Sequence, residues 1–161
     1  IYIIKVIQSI ALIMYIIMLK VFSEGLKYAP KLNAHISYNK DTKEGKIRTI
    51  ENINVNMPWI LPSGKMMTIT ISNIGSTYRE QRGTISMLDI IPPQVCVIGF
   101  GAIQEKPGVY TNEQGEKTIG IRKILPICIA FDHRALDFGE VIPFIKKLDS
   151  IFENPDIIGE L

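Results

Sequence analysis

The segment Phe131-Asp132-His133-Arg134-Ala135-Leu136-Asp137-Phe138-Gly139 joins a long apolar run to a stretch with helical spacing. His133 stands just after the one and just before the other. Strand ends are where sheet proteins commonly hold reactive groups. A neutral imidazole in such a place is the usual general base near pH 7. Asp137 follows four residues on, so one helical turn brings it near the histidine or an adjacent arginine. Taken alone, His-x-x-x-Asp arises readily by chance. On these residues alone a histidine capping the following helix is the favoured reading.

Other chemically capable residues are less suggestive. Gly99-Phe100-Gly101 lacks the third glycine of a dinucleotide fingerprint, so packing is the expectation there. Cys96 and Cys128 lie in apolar runs and read as core thiols. His35 has no partner at ligand spacing, Trp59 beside Pro58 reads as packing, and the charged run 39–46 reads as a solvated turn.

The elements that must position His133 can be read in outline. Residues 1–19 are strongly apolar, and Lys5 and Lys20 bound an uncharged stretch at 6–19. That stretch falls short of the ~20 residues a spanning helix needs, and Gln8 and Ser9 interrupt it. No small-residue cleavage site follows, so a signal peptide is not expected. We expect a buried helix running into residues 21–30 and ending before Pro30. Its apolar surface runs almost all the way round, which an oligomer interface would help to cover. Leu32–Tyr38 reads as a strand, 39–46 as a turn with Gly45, and Ile47–Ile60 as an extended run broken by Pro58. Leu61-Pro62-Ser63-Gly64 is a turn and Met66–Asn73 a strand. Gly75–Gly83 reads as an exposed loop, Ile91-Pro92-Pro93 as extended and Gln94–Ile103 as an apolar strand. Pro107–Lys117 reads as a polar turn region and Thr118–Phe131 as one long strand, with Pro126 near an edge or bulge. In 138–152, Val141, Ile142, Ile145, Leu148, Ile151 and Phe152 fall at i, i+3, i+4 intervals, and Asn154-Pro155 closes the helix.

The chain has 161 residues, about one domain, with no internal repeat or Ser/Gly linker. Hydrophobic residues make up 47% and charged residues 21%, which excludes disorder and collagen-like repeats. A net charge of +2, from 18 basic and 16 acidic residues without a basic stripe, argues against a nucleic-acid partner. Two cysteines and two histidines cannot support a disulfide framework and leave little for a metal site.

Four segments, in order, carry a family resemblance. Tyr28-Ala29-Pro30-Lys31-Leu32-Asn33-Ala34 resembles a "P-x-L-N-A" motif that follows a helix. Thr68-Ile69-Thr70-Ile71-Ser72-Asn73-Ile74-Gly75 resembles "TFTISNLG". Ile91-Pro92-Pro93-Gln94-Val95-Cys96 with Gly99 resembles "NPPQ…ILGVG". Leu125 to Pro155, centred on Asp132-His133-Arg134 and Asp137, resembles a "DHRVIDG" strand, loop and final helix ending in "ENP". Together they cover most of residues 28–155. They resemble the catalytic core of the dihydrolipoamide acyltransferases of 2-oxo acid dehydrogenase complexes, which share a fold with chloramphenicol acetyltransferase.

The resemblance implies an α/β (α+β) two-layer sandwich, one mostly antiparallel or mixed sheet covered by the N-terminal and C-terminal helices, in a single catalytic domain over 1–161. No lipoyl or subunit-binding domain is expected within the chain. His133 matches the general base that takes the proton of a coenzyme A or dihydrolipoyl thiol. A thiol of pKa ~8.5 is mostly protonated at neutral pH, so a base in contact matters. Ser72 matches the hydroxyl that donates to the tetrahedral oxyanion, a role whose loss costs ~3 kcal/mol. Asp137 matches a structural carboxylate that holds the histidine loop through an arginine, for which Arg134 is a candidate. In the family the histidine and serine come from different subunits of a trimer.

The implied substrates are acyl-coenzyme A and a lipoyl group on a partner domain, with no metal. The implied partners are a homotrimer, a larger cubic or icosahedral core, a lipoyl domain, and decarboxylase and dihydrolipoamide dehydrogenase components. Neither nucleic acid nor membrane is expected. The expected location is the cytoplasm of a bacterium or archaeon, or the mitochondrial matrix, not secretion.

Two departures stand out. Phe138 replaces the glycine that follows the aspartate in the family. The Pro62-Ser63-Gly64 turn resembles "TPDGL", yet Thr68 follows almost at once, where the family has several dozen residues that line the substrate channel. They favour a second reading, a non-catalytic relative that keeps the trimeric scaffold. Retention of both His133 and Ser72 argues against it. A third reading is acetyl transfer to a small hydroxyl acceptor, to which Asp132-His133-Arg134 and the TISNIG segment correspond less well.

Overall fold

The computed structural model describes residues 2–56, 68–76, 78–84 and 86–160, with the side chains of 2–12, 56 and 76 left aside. The expected turn at 61–64, Pro58, Trp59 and the start of the expected 66–73 strand lie outside the described residues. In chain order the elements are helix α1 (Tyr2–Leu26), strands β1 (Ala34–Asn39), β2 (Glu44–Thr49), β3 (Val55–Asn56), β4 (Ile69–Asn73), β5 (Cys96–Phe100), β6 (Gln104–Thr111), β7 (Lys117–Ile124) and β8 (Ile127–Phe131), and helix α2 (Phe138–Glu153). Single-turn helices follow α1, β4 and α2.

The apolar N-terminal run becomes α1 as expected, and among the described residues no helix is long and apolar enough to cross a membrane. The central sheet is mixed, in the order β3-β4-β5-β8, with β4 parallel to β5 and β8 antiparallel to it. Two further pairs stand apart, β1 with β2 and β6 with β7. The expected sandwich is thus present, but the strands are spread over three sheets rather than one.

One face of the central sheet presents Ile69, Ile71, Cys96, Ile98 and Phe100. These pack with Phe22 and Leu26 of α1 and Phe144, Leu148 and Ile151 of α2 in one buried cluster. Burying a side chain of this size contributes ~1.5–3 kcal/mol, so this layer fixes how the two helices lie on the sheet. Tyr15 adds a directional tie, its hydroxyl donating to the Ile71 carbonyl at 3.2 Å while its ring stacks on Phe100. All of β5 is buried, so its other face is covered too. There Leu88 lies over Gly99.

Two expectations need correction. The run 118–131 is two strands, broken at Leu125-Pro126, where β7 leaves the hairpin and β8 enters the sheet. The polar region 107–117 is largely strand, with its turn confined to 112–116. The Gly101 amide donates to the Pro126 carbonyl at 3.0 Å. β5–β8 and β6–β7 are therefore the two halves of one antiparallel ribbon, bent at 101–103 and 125–126. The first turn also differs in detail: the left-handed residue is Lys43, at φ 57°, while Gly45 belongs to β2.

Candidate active site

His133 sits in the turn between β8 and α2. Asp132 builds that turn. Its amide donates to the Val95 carbonyl at 2.8 Å, and its own carbonyl accepts from Ala135 at 2.9 Å. Its carboxylate accepts from the Arg134 amide at 3.0 Å and holds the Arg134 side chain, with Nη2 to Oδ2 at 2.6 Å. This guanidinium hydrogen bond keeps the Asp132 carboxyl below the usual carboxylate range. The same guanidinium lies 5.1 Å from the Tyr38 ring centroid, which ties the end of β1 to the turn.

With the turn pinned on both sides of His133, the imidazole projects outward. Its Nδ1 is 3.2 Å from Asp137 Oδ1. Its ring meets Phe131 edge-on, with centroids 6.0 Å apart. An Nδ1–H facing this carboxylate leaves Nε2 as the unprotonated nitrogen, the tautomer being assigned from the contact. The His133 side chain is 73% exposed and that of Asp137 83%.

Asp137 contacts the histidine directly. The Arg134 guanidinium, the candidate partner of Asp137, is instead paired with Asp132. Asp137 is also the N-cap of α2, and its amide donates to Glu140 Oε2 at 3.1 Å. The helix is thus capped by the aspartate and not by the histidine. Lys31 pairs with Glu140 in turn and pulls that carboxyl below its usual range. Glu140 and Lys31 were missed in the sequence, although Asp137-x-x-Glu140 is the spacing of a capping box. Phe138 begins α2 in ordinary helical backbone, its ring 6.5 Å from Phe131. Nothing in the backbone there calls for a glycine.

Ser72 lies elsewhere. It pairs with Gly99, and Gly99 with Cys128, in one row across the sheet. Because β4 runs parallel to β5, Ser72 and Asn73 stand at the Phe100 end. Phe131 pairs with Cys96, so His133 lies beyond the opposite end. At about 3.3 Å per residue along a strand and about 4.8 Å between strands, Ser72 and His133 of one chain are on the order of 15–20 Å apart. One chain does not bring them together.

The Ser72 end is built by a close backbone approach. A Cβ on Gly75 would stand 2.5 Å from the backbone of Gly101 and Ala102, so only glycine lets the segment after β4 meet the ribbon's bend. Gln81 secures that junction, its side-chain oxygen accepting from Ala102 N–H at 3.1 Å and its amide donating to Gly83. Gln81 is buried although its surroundings read as an exposed loop. On the sheet's far side Thr70 donates to Gln94 Oε1 at 2.8 Å, which accounts for the glutamine after the proline pair. Asn33 donates to the carbonyls of Ile50 and Asn52, which accounts for the asparagine of the first motif. Cys96 is buried, and burial pushes its thiol up to about 12. Among the described residues no three His, Cys, Asp or Glu side chains gather as a metal site would require.

The family model of the 2-oxoacid dehydrogenases acyltransferase catalytic domain matches residues 61–159. The chain belongs to that family. It is 26% identical, over 165 aligned residues, to the dihydrolipoyllysine-residue acetyltransferase component of the pyruvate dehydrogenase complex of Mycobacterium bovis, covering 80% of this chain and 29% of that one. It is 34% identical over 88 residues to the corresponding component of the acetoin cleaving system of Bacillus subtilis, covering 55% of this chain and 20% of that one. The chain thus spans less than a third of the length of the curated relatives it matches. The 165-residue alignment is longer than the share of this chain that it covers, so a stretch of the relative has no counterpart here.

Among solved structures, a probable dihydrolipoamide acetyltransferase of Listeria monocytogenes superposes with TM-score 0.67 at 19% identity, covering 86% of this chain and 69% of that one. The dihydrolipoamide acetyltransferase of Azotobacter vinelandii, studied for the role of a serine, a histidine and an asparagine in its catalytic mechanism, superposes with TM-score 0.61 at 16% identity, covering 89% and 70%. The fold is that of these catalytic domains.

Proposed function

We propose that this chain carries acyl transfer between coenzyme A and a dihydrolipoyl thiol, as a core component of a 2-oxo acid dehydrogenase complex. The observation that carries it is the His133–Asp137 pair, held by Asp132 in the turn between β8 and α2, in a chain of the acyltransferase family. His133 Nε2 takes the proton of the incoming thiol. The sulfur bonds to the thioester carbonyl carbon, and the carbonyl electrons move to oxygen. Ser72 donates a hydrogen bond to that oxyanion. Collapse expels the other thiolate, which takes the proton back from the imidazolium. Asp137 holds the imidazole in the required tautomer throughout. Base and oxyanion donor stand at opposite ends of one chain's sheet, so the working site joins His133 of one copy to Ser72 of another. A homotrimer assembled into a larger core satisfies this, and one such relative forms a cubic core. The lipoyl domain, decarboxylase and dihydrolipoamide dehydrogenase are the corresponding partners, in bacterial or archaeal cytoplasm or the mitochondrial matrix.

The test is acetyl transfer from acetyl-coenzyme A to dihydrolipoamide by the protein and its His133→Ala variant. Turnover that falls about 10²–10⁴-fold in the variant is expected. No turnover by a folded oligomer, or turnover indifferent to the variant, sinks the proposal. A second reading, a scaffold that keeps the fold without the reaction, is favoured by one observation, the stretch of the Mycobacterium relative with no counterpart here. Inability to bind coenzyme A in equilibrium titration would decide for it.

A further inference from the structure

His133 and Asp137 meet in solvent, and an ion pair this exposed holds two side chains loosely. Proton transfer needs the imidazole within about half an ångström of one place, so the backbone that carries the pair must be fixed by other means. Ala135 and Leu136 are buried and root the middle of the turn. Its two corners, at Asp132 and Asp137, are left to side chains.

Both corners are gripped from one stretch of chain, 31–38. At the Asp137 corner, Glu140 takes the Asp137 amide on Oε2 and the Lys31 ammonium on Oε1. One carboxylate thus fastens the N-cap of α2 to the segment that follows α1. At the Asp132 corner, Arg134 holds the carboxylate through Nε and Nη2, and its guanidinium lies over the Tyr38 ring. A brace is only as firm as its footing, and this footing is rigid. Pro30 has a fixed φ, Leu32 is fully buried, and the Asn33 amide donates to the Pro30 carbonyl at 3.0 Å. The Asn33 side chain holds the Ile50 and Asn52 carbonyls, and the Ile36 amide donates to the Pro93 carbonyl at 2.8 Å. Lys31 and Tyr38 therefore reach the turn from backbone that is already tied down.

We propose that Lys31, acting through Glu140, and Tyr38, acting through Arg134, are positioning residues for His133. Neither touches the imidazole. Together they hold the two corners between which it stands, and so aim Nδ1 at Asp137 and leave Nε2 facing outward. The proposal rests on the acyl-transfer reading for the role of His133 as the base. It adds what keeps that base in place.

The test compares Lys31→Met, Tyr38→Leu and their double variant with Lys31→Arg and Tyr38→Phe, which keep the charge and the ring. Lys27→Met is the control, since it breaks an ion pair with Glu24 on α1 that has no link to the turn. The readouts are kcat and KM for acetyl transfer, thermal unfolding, and the tautomer of His133. The tautomer is read by nitrogen-15 magic-angle-spinning NMR of histidine-labelled protein in alkaline buffer. Only two imidazoles report, and His133→Ala assigns its own. Each brace variant should lower kcat about threefold at unchanged KM and unfolding temperature, and the double variant about tenfold. The His133 proton should sit on Nδ1 in the wild type and shift, in the double variant, toward the Nε2–H form that free histidine favours. The conservative variants should restore most of the rate. Glu140→Gln keeps an acceptor for the Asp137 amide but drops the ion pair, so it should match Lys31→Met and add little to it.

In a protein that transfers acyl groups, a double variant that keeps the wild-type kcat or the wild-type tautomer overturns the inference. So does a loss of rate that Lys27→Met reproduces or that follows the unfolding temperature. A wild type that never transfers acyl groups, with a His133 tautomer that still depends on Lys31 and Tyr38, upholds the braces and removes the acyl-transfer proposal. Transfer abolished by His133→Ala yet indifferent to both braces does the reverse.

Discussion

Two inactive variants of this protein should make an active one. Ser72→Ala removes the oxyanion donor, a loss of about 10²–10³-fold in turnover. His133→Ala removes the base, a loss of about 10²–10⁴-fold. The two residues of one chain lie at opposite ends of β5, on the order of 15–20 Å apart, so each site draws on two copies. In an oligomer assembled from equal amounts of the variants, half the copies keep His133 and the other half keep Ser72. A site at the junction of two copies then has both residues about one time in four in a large core and one time in three in an isolated mixed trimer, so about a quarter to a third of wild-type activity should return. The variants are co-expressed with different affinity tags, and mixed oligomers are isolated by sequential purification. Transfer from acetyl-coenzyme A to dihydrolipoamide is then followed. Separately assembled oligomers, mixed without subunit exchange, should show only the residual rates. A verified mixed oligomer that stays at those rates would refute the shared site.

Three further outcomes follow from the histidine turn and the core. Asp137→Ala removes both the contact to His133 Nδ1 and the cap of α2, so it should lower kcat with little change in KM and cost about 1 kcal/mol in thermal unfolding; Asp137→Asn should restore the cap and most of the rate. Asp132→Asn should destabilise the protein by about 1 kcal/mol at pH 7. Because the folded-state pKa of Asp132 is depressed, its contribution is present above the unfolded value of about 3.9 and fades as pH falls through the folded value, so denaturation curves of wild type and variant should converge in acid. With its pKa at about 12 and its side chain buried, Cys96 should resist a thiol reagent at pH 8 in the native protein; at most Cys128 reacts, and both react in denaturant, whereas rapid native labelling of both would contradict the packing of β5.

Much of this arrangement is legible in the sequence because burial imposes a period. The apolar spacing of α2 and the nearly continuous apolar run of α1 could form little else, and Ile69, Ile71 and the run from Cys96 to Phe100 read as strands of a covered sheet. The hairpin was harder, because its composition is that of a turn: Pro107, Gly108, Asn112, Gly115 and five charged residues in 105–117. Its apolar residues also alternate outward, away from any core a single chain provides. Gln81 gave no signal, since a glutamine that satisfies a buried amide has the same neighbours in sequence as one in solvent. In the site, His133 and Asp137 were found by type and spacing. Which arginine serves which aspartate was decided by a two-residue turn, and Asp132, adjacent to the histidine, claims Arg134 first.

The bent ribbon also bears on how the chain finds its shape. Its tip is a five-residue turn in which the Asn112 side chain accepts from the amides of Gln114 and Glu116, an arrangement that forms locally. Each pair that closes after it joins strands already held together, from Thr111 with Lys117 down to Gln104 with Ile124. The ladder then passes the bend and continues from Phe100 with Ile127 to Cys96 with Phe131. Residues 35 positions apart in the chain thus meet by propagation from the tip, one rung at a time, with little loop-closure entropy left to overcome. The parallel pairing of β4 with β5 has no such guide and must be reached through the helices that pack over it, so zippering of the ribbon comes first and docking of β4 is the slower event.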